Sequence, residues 1–433
     1  MNTTDLLRRT FIDFHQMEDF ARDPIIMERA EGVYYWDTKG KRYFDAIGGI
    51  FVACLGHRHP RVMDAMRRQM DRMTFAPPLH AISDVALEFV EKVGQITPGS
   101  LKWVKPFSGG SEAVEAALKF VRQYFKQTGR PHKYKFVSRY YGYHGGTFGA
   151  MAASGTGTRK TKFEPHMPGF LKVPPPTYYR DRFSNWDECN RFAARAFEDV
   201  IVNEDPETVA AVLVEPIGNT GGIITPTAEY FQIIRDICTR YDVLLIFDEI
   251  ITGFGKTGQM FASQTFGVTP DIMTVGKGIS SGAIPLAAMI AREDLGEPFL
   301  GPAEASIQFM HGHTYAGNPL ACAAGIAVMD EIVENKLWER AECLGQYLRP
   351  RLEEMVAKHG VLREVRGKGV LLGVEFNRPG IGKAMKHTAL ANGLILRVDP
   401  DWFALAPALI TTEAQADELL GLIDKSLKEA LVA

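Results

Sequence analysis

The chain has 433 residues, 46% of them hydrophobic and 23% charged, with a formal net charge of −3. That balance suits a soluble globular protein of two or three domains and gives no electrostatic reason to expect nucleic acid or an anionic membrane as its main partner. No stretch approaches the ~18 apolar residues of a membrane-spanning helix, and the charged N-terminus "MNTTDLLRRTFIDFHQMEDF" lacks the apolar core of a signal peptide.

Cys54, Cys189, Cys238, Cys322 and Cys343 are scattered and form no CxxC pair. They favour reduced thiols in a cytoplasmic setting, and no metal site is expected. In chain order, the first chemical signal is "FSGGSEAVEAALKFVRQYF". Val114, Ala117, Leu118, Val121 and Phe125 share one helical face, so a helix is predicted from near Ser111. The preceding Ser108-Gly109-Gly110-Ser111 offers a phosphate backbone donors, a hydroxyl and the positive end of a helix dipole. A plain serine-capped helix reads the same way. Next, "YYGYHGGTFGAM" sets Tyr143 and His144 beside glycines that let a flat ring approach, although an aromatic packed in a loop is the plainer reading. The stretch "KVPPPTYYRDRFSNWDE" (172–188) is a proline-rich surface loop by composition.

Four continuous apolar runs follow: "VAAVLVE" (209–215), "VLLIFDE" (243–249), "DIMTV" (271–275) and "PLAAMIA" (285–291). Unbroken runs are expected for strands covered on both faces. The helical spacing of "TAEYFQIIRDICTRY" between the first two makes a βαβ unit and so a mainly parallel sheet. Asp248 ends one strand, and Lys277 follows another in "TVGKGISSG", so both can face the cleft at the carboxyl edge of the sheet. A structural ion pair is the alternative. Gly255-Lys256-Thr257 looks like half of a phosphate loop, but GxxxxGK[ST] needs glycine where Ile250 stands, and no helix intervenes. The nucleotide-binding reading fails on spacing. After about residue 325 a long helical stretch, "AAGIAVMDEIVENKLWERAECLGQYLRPRLEEMVAKHG", leads to the hairpin "VLREVRGKGVLLGVEF" and a final helix, predicting a smaller α+β domain.

A lysine, a carboxylate and a phosphate cradle together are what pyridoxal phosphate requires: a Schiff-base amine, a partner for the pyridine nitrogen and an anion site. From here a family resemblance becomes visible. "SGGSEAVEAALK", "YHGGT", "EPIGNTGG", "FDEIITGFGKTG", "DIMTVGKGISSGAIPLAAM", "HGHTYAGNPLACAA" and "VRGKGVLLGVEF" occur in order. Over roughly residues 25 to 430 the chain resembles the class III (ω-) aminotransferases, fold type I pyridoxal-phosphate enzymes, and most of all the amine and β-alanine–pyruvate transaminases.

The resemblance implies an α/β fold, aspartate aminotransferase-like, with a mainly parallel-sheet large domain that binds pyridoxal 5'-phosphate. An N-terminal segment (1–57) would pack with a small C-terminal domain (326–433), leaving 58–325 as the large domain. It implies that Lys277 bonds the cofactor and later moves the substrate proton, and that Asp248 keeps the pyridine nitrogen protonated. Gly110 and Ser111 would hold the phosphate, joined by Thr314 from a partner subunit. Tyr143, with His144 beside it, would stack on one ring face and Ile250 on the other, while Glu215 would lie near the phenolic oxygen. A homodimer follows from the Thr314 role, with pairing of dimers left open.

Substrate expectations rest on departures from the family. Many members carry an arginine that clamps an α-carboxylate where this chain has Ala404, whereas Arg397 stands where amine–pyruvate enzymes have a mobile arginine. Thr220 replaces a glutamate typical of 2-oxoglutarate users, and Phe51 takes the place of a common tryptophan, suggesting an apolar pocket. The expected reaction moves an amino group from an ω-amine, polyamine, β-alanine or taurine to a 2-oxo acid, pyruvate becoming alanine. A decarboxylating dialkylglycine-type enzyme, an aminomutase or a 2-oxoglutarate-dependent transaminase of the same fold is the alternative.

Overall fold

The computed structural model describes residues 3–177, 179 and 181–432. Seven strands build its central sheet: β1 (Leu101–Phe107), β2 (Lys135–Arg139), β3 (Phe170–Val173), β4 (Val209–Val214), β5 (Leu244–Asp248), β6 (Ile272–Val275) and β7 (Ala287–Arg292). Their order is β1-β7-β6-β5-β4-β2-β3. The apolar runs read from the sequence are strands because both faces are covered. In β5, Leu245 and Phe247 join a core with Phe231 and Phe197, while Leu244 and Ile246 join another with Val121 and Phe125. Each large side chain buried this way contributes about 1.5–3 kcal/mol. The helix Gly110–Gln127 supplies one cover through the face read from its sequence, and the helices Trp186–Asn203 and Ala228–Arg240 supply the other.

Strands β2 to β6 run parallel, as the βαβ pattern requires. The run at 285–291 departs from it: β7 is antiparallel to both neighbours. Its link from β6 holds only a turn of 3-10 helix, Lys277–Ser280, and a parallel return needs a longer crossover. Because β1 is also antiparallel to β7, it points the same way as β2 to β6. The carboxyl ends of β1, β2, β4, β5 and β6 therefore share one edge.

Outside this sheet, Met27–Glu31, Tyr34–Asp37 and Arg42–Asp45 pair with one another, and Leu394–Ile395 adds parallel to the last, tying the N-terminal segment to the C-terminal part. Leu362–Lys368, Leu371–Phe376, Trp402–Leu405 and Arg397–Asp399 form a separate antiparallel sheet. The long helical stretch is two helices, Pro319–Glu334 and Leu337–Lys358, broken where Lys336 takes a left-handed φ of +45°. Residue 325 falls inside the first of them, and one buried apolar cluster joins Phe89 to Leu344, Leu372 and Leu427.

The proline-rich loop is shorter than its composition suggests, because Lys172 and Val173 close β3 and Trp186 opens a helix. Tyr178 and Arg180 of that stretch lie outside the described residues. All five cysteines are unpaired. Among the described residues no helix is long and apolar enough to cross a membrane.

Candidate active site

A cavity at the carboxyl edge of the sheet is lined by residues that follow five different strands. Gly110 and Ser111 come after β1, Tyr143, His144 and Gly145 after β2, and Glu215 after β4; Asp248, Ile250 and Ile251 end or follow β5, and Lys277 follows β6. Every candidate cofactor residue except Thr314 is here.

Adjacent parallel strands bring Asp248 and Lys277 together, with Asp248 paired in register with Thr274. The two do not form a contact ion pair, because the carboxylate is engaged elsewhere. Asp248 Oδ2 accepts from His144 Nδ1 at 2.8 Å, and Oδ1 accepts from the Ile250 N–H at 3.2 Å and from Thr274 Oγ1 at 3.3 Å. The His144 bond places its proton on Nδ1 and leaves Nε2 buried without a partner. Lys277 has a φ of +47°, a conformation costly for a side-chain-bearing residue and concentrated at functional sites. Its amine opens on the cavity with no hydrogen-bond partner among the described residues. Burial pushes the amine down to about 8, against the pull of Asp248 and Glu215 and with a smaller push from Lys256.

At the other end of the cavity the helix Gly110–Gln127 starts. Its N-cap is Gly109 and not a serine. Glu112 reaches back to accept from the N–H groups of Ser108 at 3.0 Å and Gly109 at 3.2 Å, so the next donors along, on Gly110 and Ser111, have no partner within the helix. Ser111 Oγ accepts from the Gly146 N–H at 3.0 Å, which leaves its own hydrogen to donate. Glycine is required at Gly145, whose φ is +140°: a Cβ there would lie 2.5 Å from Ser111 Oγ and 2.9 Å from Ala150 Cβ, whereas at Gly110 it would press only on the tip of Ile250, 2.8 Å from Cδ1.

Glu215 is buried, accepting from the N–H groups of Tyr143 at 3.1 Å and Asn219 at 3.3 Å, and so fixes the backbone that carries the Tyr143 ring. Burial pushes its carboxyl up, opposed by His144 and Arg139. Arg139, fully buried at the end of β2, donates to the Glu215 carbonyl. No local pattern signals either the Arg139 or the His144 bond, since each partner lies over 70 residues away.

The substrate candidates are more dispersed. Thr220 donates to the Tyr141 carbonyl and shares a 3.2 Å hydrogen bond with Thr156 Oγ1, which anchors the loop beside Tyr143. Phe51 does not line the cavity but is buried in the same apolar cluster as Ile251. Arg397 lies outside the lining, donating to Asp399 Oδ2 at 2.7 Å, and stands opposite the buried Ala404. Thr314 is exposed on a loop and away from its own chain's cavity. Lys256 of the "GKT" fragment is buried against Gly278, its amine 3.3 Å from the Gly253 carbonyl, so no open phosphate loop exists there.

These residues fit pyridoxal phosphate part by part. Unspent N–H groups, a hydroxyl and a helix dipole suit a phosphate dianion, Tyr143 and Ile250 suit the two faces of a flat ring, a buried carboxylate suits a cationic ring nitrogen, and a buried, partnerless amine suits an aldehyde.

Comparison with known proteins agrees. Residues 17–427 match the family model "Aminotransferase class-III". The chain is 33% identical to the taurine–pyruvate aminotransferase of Bilophila wadsworthia over 97% of its length and 96% of that protein's. It is 31% identical to the putrescine–pyruvate aminotransferase of Pseudomonas aeruginosa over 98% of its length and 94% of that protein's. The ω-transaminase of Pseudomonas jessenii, solved in complex with PMP, superposes with a TM-score of 0.95 at 32% identity, covering 100% of this chain and 99% of that one. Fold, cavity and sequence converge: the chain belongs to the class III aminotransferases, enzymes that depend on pyridoxal phosphate.

Proposed function

We infer that the enzyme transfers an amino group from an ω-amine or ω-amino acid to a 2-oxo acid, with pyruvate as acceptor. The observation that carries this reading is one cavity holding a partnerless lysine amine, a buried carboxylate and an anion cradle. The relatives named for pyruvate support the acceptor. So does Ala404, which offers no fixed clamp for a five-carbon diacid.

When bound, pyridoxal phosphate supplies an electron sink for the pair left as a proton leaves the carbon bearing the amine. The protein's part follows from its residues. Lys277 would hold the cofactor through its amine, and that amine, when free, would be the base placed to lift and return the proton of the substrate carbon. With its proton affinity already lowered by burial, the amine is a base near neutrality. Asp248 holds positive charge at the ring nitrogen, and the His144 bond keeps that carboxylate aimed. Tyr143 and Ile250 would cover the two faces of the ring, and Gly110 and Ser111 would hold the phosphate.

Thr314, exposed on its own chain, completes the phosphate site of a second copy, so the working unit is a homodimer in the cytoplasm. Residues 58–325 form the cofactor-binding domain, with 1–57 and 326–433 together as the smaller one. A donor panel tests the reaction: β-alanine, taurine, putrescine and an aralkylamine against pyruvate and 2-oxoglutarate, each half-reaction followed spectrally. Transfer to 2-oxoglutarate alone would contradict pyruvate as acceptor.

Two further results are expected. Gly145→Ala weakens binding of added pyridoxal phosphate at least about ten-fold, since the methyl meets Ser111 Oγ and the backbone conformation costs ~1–3 kcal/mol. Capture of pyridoxal phosphate by the cofactor-free protein speeds up with rising pH and levels off above about 8, because the neutral amine is the nucleophile. A rate still climbing through pH 9.5 would mean that Lys277 titrates as an ordinary lysine.

A further inference from the structure

Arg159 is a cation beside the cavity, and the proposed chemistry leaves it without a task. Its guanidinium carbon lies 5.1 Å from the ring centroid of Tyr143, which lines the cavity, and 4.1 Å from that of Phe14. The local fold holds it there. The Gly155 N–H donates to the Gly142 carbonyl at 2.8 Å, and Thr156 Oγ1 reaches the same carbonyl at 3.3 Å. Thr156 Oγ1 also meets Thr220 Oγ1 at 3.2 Å, and the Arg159 N–H closes the turn onto the Thr156 carbonyl at 3.2 Å.

No carboxylate pairs with Arg159 among the described residues, and its neighbour Lys160 adds a second positive charge. Arg397 is the opposite case. Asp399 neutralises it at 2.7 Å and it packs 5.6 Å from the ring of Trp402, which is outside the cavity lining, whereas Arg159, itself outside that lining, stacks on Tyr143, which is part of it. A guanidinium half-buried between two rings is partly desolvated yet lacks a counter-ion. Its planar fork of donors fits an oxyanion through two parallel bonds and repels a second ammonium.

We propose that Arg159 receives the anionic end of the substrates, a carboxylate or sulfonate, so that the enzyme takes ω-amino acids and amino sulfonates ahead of polyamines. This deepens the aminotransferase reading and rests on it.

The test uses the holoenzyme with β-alanine, taurine, putrescine and 1-phenylethylamine as donors. For the wild type, kcat/KM is expected to be higher for β-alanine and taurine than for putrescine. In Arg159→Met, kcat/KM for β-alanine and taurine falls about 10- to 100-fold relative to 1-phenylethylamine, the range for losing a charge-assisted hydrogen bond. Arg159→Lys, which keeps the charge and loses the fork, falls less. Propionate carries no group to transfer, so its binding, read from the perturbation of the cofactor spectrum, reports on the anion site without turnover and weakens by the same factor.

Equal losses for all donors, a wild-type preference for putrescine, or propionate affinity untouched in Arg159→Met and lost in Arg397→Met would each overturn the proposal. Should Arg159→Met fail to hold cofactor, Arg159→Gln decides on the same criteria. Absence of transfer from every donor by the wild type would instead defeat the aminotransferase reading, and propionate binding would still report on Arg159.

Discussion

Lys277→Ala is expected to lose the near-visible absorbance of the holoenzyme and to lower turnover by at least about 10⁴-fold, the upper range for removing a general acid–base group. The size of the effect follows from the position. The amine stands alone in the cavity, and the other lysine pressed against its turn, Lys256, is buried beneath Gly278 and turned toward the Gly253 carbonyl. Among the described residues no second amine lines the cavity to take over. The substitution leaves the fold intact, because removing a buried amine also removes its desolvation cost and alanine takes the left-handed backbone no worse than lysine does. A folded variant that stayed coloured and turned over would show that another group bonds the cofactor.

Asp248→Asn gives the second large effect, a fall in kcat of about 10²–10³-fold, typical of removing one preorganised electrostatic contact at a reacting centre. Asparagine keeps the size of the side chain and an oxygen that accepts from the Ile250 N–H and Thr274 Oγ1, while its amide nitrogen donates to His144 Nδ1 once the imidazole proton moves to the partnerless Nε2. What it removes is the negative charge that favours a protonated ring nitrogen. Cofactor binding is therefore expected to survive, with the loss confined to the proton-transfer steps, so single-turnover half-reactions slow while the bound-cofactor spectrum persists. If cofactor affinity fell and the half-reaction rate did not, Asp248 would be an anchor and not an electrostatic element.

The parts of the site that were legible in the sequence are those encoded locally. Asp248 and Lys277 end or follow unbroken apolar runs, and such runs mark strands buried on both faces. The carboxyl edge of a parallel sheet then brings them together without any knowledge of tertiary packing. Ser111 was legible as the start of a helix, but its freedom to donate was not, because that depends on Glu112 reaching back and on Gly146 folding over from another strand end. His144 and Arg139 act through bonds to Asp248 and Glu215 on other strands, and no local pattern records such a meeting. The antiparallel β7 was hidden for a different reason: an apolar run shows that a strand is covered, not which way it runs. Arg159 was unreadable because its interest lies in having two aromatic neighbours and no counter-ion, which only the folded chain discloses.

The central claim is that the Lys277 amine, in the cavity beside Asp248, carries the cofactor. Borohydride reduction of the holoenzyme, followed by proteolysis and mass spectrometry, tests it most directly. The expected product is a single peptide spanning Lys277 that bears the reduced phosphopyridoxyl group on that side chain. The same group on Lys256 or another lysine, with the Lys277 peptide unmodified, would contradict the assignment of the site.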